Sequence, residues 1–177
     1  MARGVFRSLH RLFQHSSLGV RRKFEVCRAV VLSKLLYGLE SVVLRDHDIS
    51  KLNGFHAACC RKLLRISPSF ISRVSNKYVL QQFKTNSLHS ILLQRQLLFF
   101  GSIARRPQDD IVRQFVFKPN TFDSIEQHSP RKQGRPRKNW IREMFKHGQS
   151  IADGESFSDL ISNELTWRSC VSSFCSN

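Results

Sequence analysis

The chain has 177 residues and a formal net charge of +16, with 29 Lys and Arg against 13 Asp and Glu. This length is enough for one domain, or for one domain and a small C-terminal subdomain. The pI near 10.6 favours a polyanionic partner, and nucleic acid is a more common one than an anionic membrane. No membrane span is expected, because the longest apolar run, residues 29–44, is too short and contains Lys34 and Glu40.

The charge is sorted along the chain. Residues 66–105 contain basic residues and no acid, whereas residues 147–177 contain four acids and only Arg168 as a base. Charge that served only solubility would not be sorted in this way. We therefore expect the basic surface to be confined to one region of the molecule.

The five cysteines include no Cys-x-x-Cys pair, so a zinc site is not expected. Their odd number favours reduced thiols in an intracellular protein, nuclear or cytoplasmic. Cys27 and Cys59 fit best as small apolar packing residues. Residues 1–24 are rich in Arg and free of acids, which is also typical of a mitochondrial presequence, so a mitochondrial location is the alternative.

Apolar residues spaced three and four apart predict two helices at the start of the chain. The first has the apolar face Val5, Phe6, Leu9, Leu12 and Phe13. The second runs from Val20 toward Tyr37. Its first turn contains Arg21, Arg22 and Lys23, where positive charge opposes the helix dipole. These three residues are candidate nucleic-acid contacts, with ordinary solvated charge as the alternative.

A third helix is expected to begin at a cap formed by Asp46 or Asp48 and to run to Ile66. Near its C-terminal end lie Arg61, Lys62 and Arg65. Positive charge at this end suits the helix dipole, so a purely structural role is expected for these three residues.

Two further helices are expected in the middle of the chain. A short one spans residues 75–83, capped by its first residue, and buries Tyr78, Val79 and Phe83. The most apolar one runs from Ser87 to Ile103. Arg95 projects from this helix as a candidate nucleic-acid contact, and Gly101 is expected to interrupt it.

The C-terminal third is expected to contain short helices and a linker. A helix at 109–117 precedes a basic linker at 118–135, which is rich in Pro, Asn and Ser. Pro136 suits the first position of the next helix. A last acidic helical segment spans 156–172.

No segment shows sustained alternation or a hairpin signal. The predicted fold class is therefore all-α, an irregular multi-helix bundle with a linker and a small C-terminal helical pair. The predicted divisions are a helical domain at 1–117, the linker at 118–135 and a C-terminal helical segment at 136–177.

Catalytic motifs are missing from the sequence. There is no His-Glu-x-x-His, no Gly-rich phosphate loop and no Gly-x-Ser-x-Gly. The cluster Asp46-His47-Asp48 fits a helix cap, and the carboxylates are too few for a two-metal centre. We do not expect this chain by itself to be an enzyme, or to need a cofactor or a metal.

Residues 130–140 are the most basic stretch of the chain. The bases in it are Arg131, Lys132, Arg135, Arg137 and Lys138. The Gly134-Arg135-Pro136 turn resembles an AT-hook, which inserts into the minor groove of A·T tracts, although Gln133 replaces the usual Arg. Contact with phosphates and a nuclear-localisation signal are alternatives for the same residues.

Several blocks taken together resemble the region that follows the palm of non-LTR (LINE-type) retrotransposon reverse transcriptases. In chain order they are Val30-Val31-Leu32-Ser33-Lys34-Leu35-Leu36-Tyr37-Gly38-Leu39-Glu40, Phe55-His56-Ala57-Ala58-Cys59-Cys60-Arg61-Lys62-Leu63-Leu64-Arg65-Ile66, Arg73-Val74-Ser75-Asn76, Arg95-x-Leu97-x-Phe99-x-Gly101, Arg106-Pro107-x-Asp109, Gly134-Arg135-Pro136-Arg137-Lys138-x-Trp140 and Trp167-Arg168. They cover nearly the whole chain. The sequence departs from the family pattern at Ser33, where Pro is usual, at Ser102, where His is usual, and at Ser69 or Phe70, where Trp is common.

The resemblance implies a thumb-like or connection-like helical region that positions a template–primer duplex through its phosphates. The palm motif with paired aspartates is absent from this chain, so the resemblance implies a non-catalytic fragment whose partners are nucleic acid and a separate palm domain. A free-standing chromatin-associated or DNA-binding protein and a mitochondrial structural protein are the alternatives.

Overall fold

The computed structural model describes residues 2–15, 17–125, 138–153 and 156–176. Within these ranges the chain is all-α and has no strand, which confirms the predicted fold class. The helices are α1 (Ala2–Ser8), α2 (His10–His15), α3 (Val20–Val26), α4 (Ser33–Leu36), α5 (Asp46–Leu64), α6 (Ser69–Ser72), α7 (Asn76–Gln82), α8 (Leu88–Ala104), α9 (Ile111–Val116), α10 (Trp140–Ala152), α11 (Phe157–Ser162) and α12 (Glu164–Ser176), with a π-helical segment at Cys27–Leu32 between α3 and α4. Across the described part of the chain, no helix combines the length and the apolar character needed to cross a membrane.

The chain forms two compact units. Unit 1 comprises Met1–Gly38 and Leu44–Leu92, and unit 2 comprises Leu39–Val43 and Leu93–Asn177. The division falls inside α8, whereas the sequence placed a boundary after residue 117. The reason is aromatic packing, because Phe100 and Phe117 both lie in the same core as Phe145 of α10.

The core of unit 1 is built by α1, α2, α3, the π-helical segment, α5 and α7. The predicted first helix is broken at Leu9 into α1 and α2, and Phe6 and Phe13 hold the two parts together at 5.4 Å between ring centroids. Phe24 stacks on Phe83 at 4.3 Å. The predicted second helix runs on through the π-helical segment to Leu36.

The start of α5 differs from the prediction. Arg45 occupies the N-cap position and makes no side-chain cap hydrogen bond, while Asp46 and Asp48 lie in the first turn. Two acids in the first turn stabilise the start of the helix through its dipole, in place of a hydrogen bond from a capping side chain. The prediction of an aspartate cap was therefore wrong.

Helix α7 is capped as predicted. The Oγ of Ser75 accepts a hydrogen bond from the backbone N of Tyr78 at 3.1 Å. Tyr78 itself is exposed rather than buried, because Val79 is the residue of α7 that enters the core.

The core of unit 2 is centred on Trp167, which is fully buried. Its indole Nε1 donates to the carbonyl O of Leu97 at 3.0 Å. The sequence predicted that Gly101 interrupts α8, but the helix continues through this residue. The glycine instead makes room for the Trp167 indole. A Cβ placed on Gly101 would lie 2.3 Å from Nε1 of Trp167, so close packing explains the glycine.

The first part of the predicted linker is an ordered turn. The backbone N of Lys118 donates to the carbonyl O of Asp123 at 2.9 Å, and Phe117 forms an isolated antiparallel bridge with Ser124. The buried guanidinium of Arg113 donates to the carbonyl O of Thr121 at 3.1 Å. The remainder of the predicted linker, from residue 126, lies outside the described residues.

The C-terminal helices begin at asparagine caps. The Oδ1 of Asn139 accepts from the backbone N of Ile141 at 2.9 Å, and α10 begins at Trp140. Pro136, predicted as the first residue of this helix, lies outside the described residues. The Oδ1 of Asn163 accepts from the backbone N of Leu165 at 3.0 Å. This second cap divides the single helical segment predicted at 156–172 into α11 and α12.

Candidate nucleic-acid interface

Most of the basic stretch at 130–140 lies outside the described residues. This applies to Arg131, Lys132, Arg135 and Arg137, and to the whole Gly134–Pro136 turn. Lys138 is described and exposed, directly before the cap of α10. The AT-hook hypothesis therefore stays a prediction from sequence.

Arg21 and Arg22 are exposed on α3, with side chains that are 93% and 76% accessible. Both contact the carboxylate of Glu25, with Arg22 Nη1 at 3.0 Å from Oε2 and Arg21 Nε at 3.9 Å from Oε1. One carboxylate balances only one of the two guanidinium groups. The pair therefore keeps a net positive charge at the surface, although such exposed ion pairs add little stability.

Lys23 does not share this surface. Its side chain is buried, and its Nζ donates to the carbonyl O of Phe13 at 2.6 Å. This bond ties the end of α2 to the start of α3. The geometry therefore gives Lys23 a structural role, in contrast to its two neighbours.

Arg95 lies in unit 2, where its Nη1 is 3.8 Å from Oε1 of Glu40. The same short segment, Leu39–Val43, is held by Gln96, whose Nε2 donates to the carbonyl O atoms of Leu39 at 3.1 Å and Val42 at 2.8 Å. The indole of Trp140 donates to the carbonyl O of Glu40 at 2.9 Å. Arg95 thus belongs to a set of contacts that fixes this segment against α8 and α10.

The positive charge is concentrated in unit 1. Unit 1 contains 16 Lys and Arg against three Asp and Glu, whereas unit 2 contains 13 against ten. Unit 1 thus has a net charge of +13 out of +16. In addition, no acid occurs between Asp48 and Asp109. The regional basic surface expected from the sequence corresponds to one compact unit.

Arg61 organises the loop that follows α5. Its side chain is buried, and its guanidinium is surrounded by oxygen acceptors of residues 67–76. Nη1 donates to the carbonyl O of Ser67 at 3.0 Å, Nε donates to Oδ1 of Asn76 at 3.1 Å, and Nη2 donates to the carbonyl O of Val74. A planar guanidinium is the side chain best suited to several fixed acceptors at once.

The sequence predicted only a favourable dipole interaction for Arg61. No signal in the sequence pointed to this role, because helical periodicity does not show which loop oxygens a polar side chain will contact. Three exposed bases lie in and beside this loop: Arg65 at the end of α5, Arg73 at the end of α6 and Lys77 in the first turn of α7. Arg73 and Lys77 are functional candidates that the sequence did not indicate, and Arg65 was expected to have only a structural role.

The interior of unit 1 contains a thiol cluster and an unusual histidine. Cys27, Cys59 and Cys60 are buried free thiols, which agrees with the packing role predicted for Cys27 and Cys59. A hydrogen bond with Cys59 lowers the pKa of Cys27 and, together with burial, raises that of Cys59. Burial raises the pKa of Cys60 to about 12.

His56 is buried, both of its ring nitrogens lack a hydrogen-bond partner, and desolvation lowers its pKa to about 4.

These groups do not form a metal centre. Among the residues that the structure describes, no three His, Cys, Asp or Glu side chains are placed to hold an ion. Comparisons with protein-family models, with curated proteins and with solved structures found no significant match to the chain. Its function has to be argued from its own charges and contacts.

Proposed function

We propose that this chain is a non-catalytic nucleic-acid-binding module from the region that follows the palm of a LINE-type reverse transcriptase. In this role it holds a template–primer duplex through phosphates and positions it for a separate palm domain. The observation that carries the binding proposal is the net charge of +13 on unit 1, together with the absence of acids between Asp48 and Asp109.

The physical basis is counterion release. A surface that neutralises several phosphates displaces the counterions condensed on the duplex, so affinity falls steeply as salt rises. Such contacts fix the orientation of the duplex without reading its sequence. Exposed arginines such as Arg21, Arg22 and Arg73 supply the required groups.

Binding can be measured by fluorescence anisotropy with a labelled RNA–DNA duplex and a DNA duplex of the same sequence. Affinity should fall by about a hundredfold or more between about 50 and 200 mM salt. Duplexes of different sequence should bind equally. Absence of binding at low salt, or affinity that does not respond to salt, would contradict the proposal.

The reverse-transcriptase origin has a separate test. We expect the genomic sequence upstream of the Met1 codon to encode a palm motif with paired aspartates, in frame or behind a frameshift. Unrelated intergenic sequence at that position would exclude this origin while leaving nucleic-acid binding open.

The role of the Gly134–Pro136 turn is decided by replacing Arg135 and Arg137 with Ala. We expect a modest loss of affinity that is the same for all sequences, as for phosphate contacts. A specific loss of preference for A·T tracts would instead establish an AT-hook.

A nuclear or cytoplasmic location is expected. Mature N-terminal sequencing that recovers Met1 would exclude cleavage of a mitochondrial presequence.

A further inference from the structure

The segment from Arg65 to Tyr78, here called the loop, includes α6 and the first turn of α7 and exposes aromatic rings. Phe70 on α6 is 82% accessible and Tyr78 on α7 is 51% accessible, and Ile71 beside Phe70 is also exposed. A single exposed apolar side chain is ordinary on a protein surface, but a group of them indicates an interaction site.

The same loop exposes only positive charge. Arg65, Arg73 and Lys77 lie at its surface, and the nearest acids in the sequence are Asp48 and Asp109. Interleaved cations and aromatic rings are complementary to a polyanion that also has stackable faces. Single-stranded nucleic acid has both properties, since its phosphates bind cations and its unpaired bases stack on aromatic rings.

Two of these cations are held in a costly backbone conformation. Arg65 and Arg73 have φ of 58° and 56°, in the left-handed region where glycine is the favoured residue. A long basic side chain is present at both positions despite this cost. Hydrogen bonds also hold the loop in place, because Arg61 donates to acceptors at Ser67, Val74 and Asn76.

We propose that this loop is a stacking site for single-stranded nucleic acid. Phe70 and Tyr78 provide the faces on which bases stack, and Arg65, Arg73 and Lys77 bind the adjacent phosphates. The proposal rests on the nucleic-acid-binding function proposed above and adds a preference for unpaired strands at this loop.

Unit 2 provides a matched contrast. Phe115 on α9 is 68% accessible and lies beside exposed Ile111, but the turn before this helix contains Asp109 and Asp110. Carboxylates repel phosphates, so this exposed ring is not expected to stack on bases. Phe115→Ala is therefore the control for Phe70→Ala, because both variants remove one exposed phenyl ring.

The experiment uses labelled oligodeoxythymidylate of about 12 nucleotides and an abasic oligomer of the same length. Phe70→Ala should weaken binding of the thymidylate strand by about fivefold to a hundredfold, and Tyr78→Ala should act in the same direction. Neither change should affect the abasic strand, which has phosphates but no bases. Phe115→Ala should leave both affinities unchanged.

The outcomes separate this proposal from the one on which it rests. Salt-dependent duplex binding with no difference between Phe70→Ala and Phe115→Ala would overturn the stacking site and leave the proposed function standing. Failure to bind both duplex and single strand would overturn both proposals. An equal loss on the abasic strand would show that Phe70 acts only through loop structure, which also overturns the site.

Self-association is the competing use of an exposed aromatic surface. Sedimentation of the wild-type chain and of Phe70→Ala distinguishes the two. Self-association that is lost in Phe70→Ala, with single-strand affinity unchanged, would assign the surface to a second copy of the chain and overturn the proposal. A monomer in both cases supports the nucleic-acid assignment.

A second variant guards against loss of folding. Arg73→Gly removes a cation and also places glycine at a φ of 56°, so the thermal midpoint should rise rather than fall. We expect the slope of log affinity against log salt to decrease by about 0.7 for the single strand. An unchanged slope in this more stable variant would exclude Arg73 as a phosphate contact.

Discussion

Gly101 shows how one missing side chain can determine a core. Its Cα faces the Trp167 indole so closely that an added Cβ would lie 2.3 Å from Nε1 and 2.5 Å from Cδ1. Gly101 and Trp167 both belong to the sequence blocks that resemble the post-palm region, but the sequence alone does not explain why these two residues occur there. Close packing between α8 and α12 supplies the reason for both.

We predict that Gly101→Ala destabilises the protein by about 2 kcal/mol. Overpacking costs about 1–3 kcal/mol, and displacing the indole weakens its bond to Leu97, which contributes about 1 kcal/mol. The gain in helix propensity, about 1 kcal/mol, offsets only part of this. Chemical denaturation followed by far-ultraviolet circular dichroism measures the change.

Gly54→Ala is the matched control in the middle of α5. Nothing lies within 4 Å of a Cβ added to Gly54, which is exposed. Helix propensity then acts alone, and the variant should be more stable by about 0.5–1 kcal/mol. Equal effects of the two substitutions would refute the packing explanation.

His56 is expected to make the stability of unit 1 depend on pH. Its ring stacks on Phe24 at 6.4 Å between centroids, and burial lowers its pKa from 6.5 to about 4. The unfolded chain therefore takes up a proton near pH 6.5 while the folded chain does not. Stability is complete above about pH 6.5, decreases as the pH falls, and levels off near pH 4, with a total loss of about 3 kcal/mol.

The measurement is the urea midpoint between pH 7 and 4.5 for the wild type, His56→Leu and His89→Gln. His56→Leu removes two unsatisfied nitrogens and the titrating group, so its midpoint should vary less with pH. His89 is exposed, and its replacement should leave the wild-type dependence in place. Identical profiles for all three proteins would exclude His56 as the source.

At the scale of elements, the helices were predictable wherever apolar residues recur at helical spacing. The α5 and α8 positions follow from such patterns, and so does the burial of Cys27 and Cys59. The Ser75 cap follows from the preference of serine for the position before a helix. Helix ends were less predictable, because a cap depends on local backbone geometry; the N-cap of α5, for example, is Arg45 and neither of the two predicted aspartates.

The candidate site was less predictable than the fold. Periodicity identifies which face of a helix is buried but not the hydrogen-bond partner of a polar residue on that helix. Arg61 was therefore assigned to the helix dipole, whereas its partners lie six to 15 residues further along the chain. The burial of Lys23 was unexpected for the same reason, since its partner is the Phe13 carbonyl in a different helix.

Arg61 is predicted to hold the loop between α5 and α7 in place. Arg61→Ala leaves the acceptors at Ser67, Val74 and Asn76 without their donor and should cost about 3 kcal/mol. Trypsin should then cut the loop after Arg65 or Arg73 much faster than in the wild type. Lys51→Ala removes an exposed charge from the same helix and should leave the cleavage rate unchanged; an equal acceleration would contradict this role.

At the scale of the whole molecule, the uneven division of charge is the feature with the largest functional consequence. Unit 2 is close to balanced, with 13 bases and ten acids, although it contains the most basic stretch of the sequence. Long-range attraction depends on the summed charge of a surface rather than on one short motif. Unit 1 is thus expected to supply most of the affinity for a duplex.

We predict that charge-matched variants of the two units differ in binding. One variant replaces Arg3, Arg11 and Arg28 in unit 1 with Gln, and the other replaces Lys118, Arg142 and Lys146 in unit 2. All six side chains are exposed, and each set removes the same charge. The unit 1 set should reduce the slope of log affinity against log salt by up to about three, because each lost phosphate contact contributes about 0.9. The unit 2 set should leave the slope nearly unchanged. Circular dichroism first checks that both variants have the same helicity, and anisotropy titrations with one labelled duplex then measure the two slopes. Equal losses from both sets would show that binding follows net charge instead of a surface on unit 1.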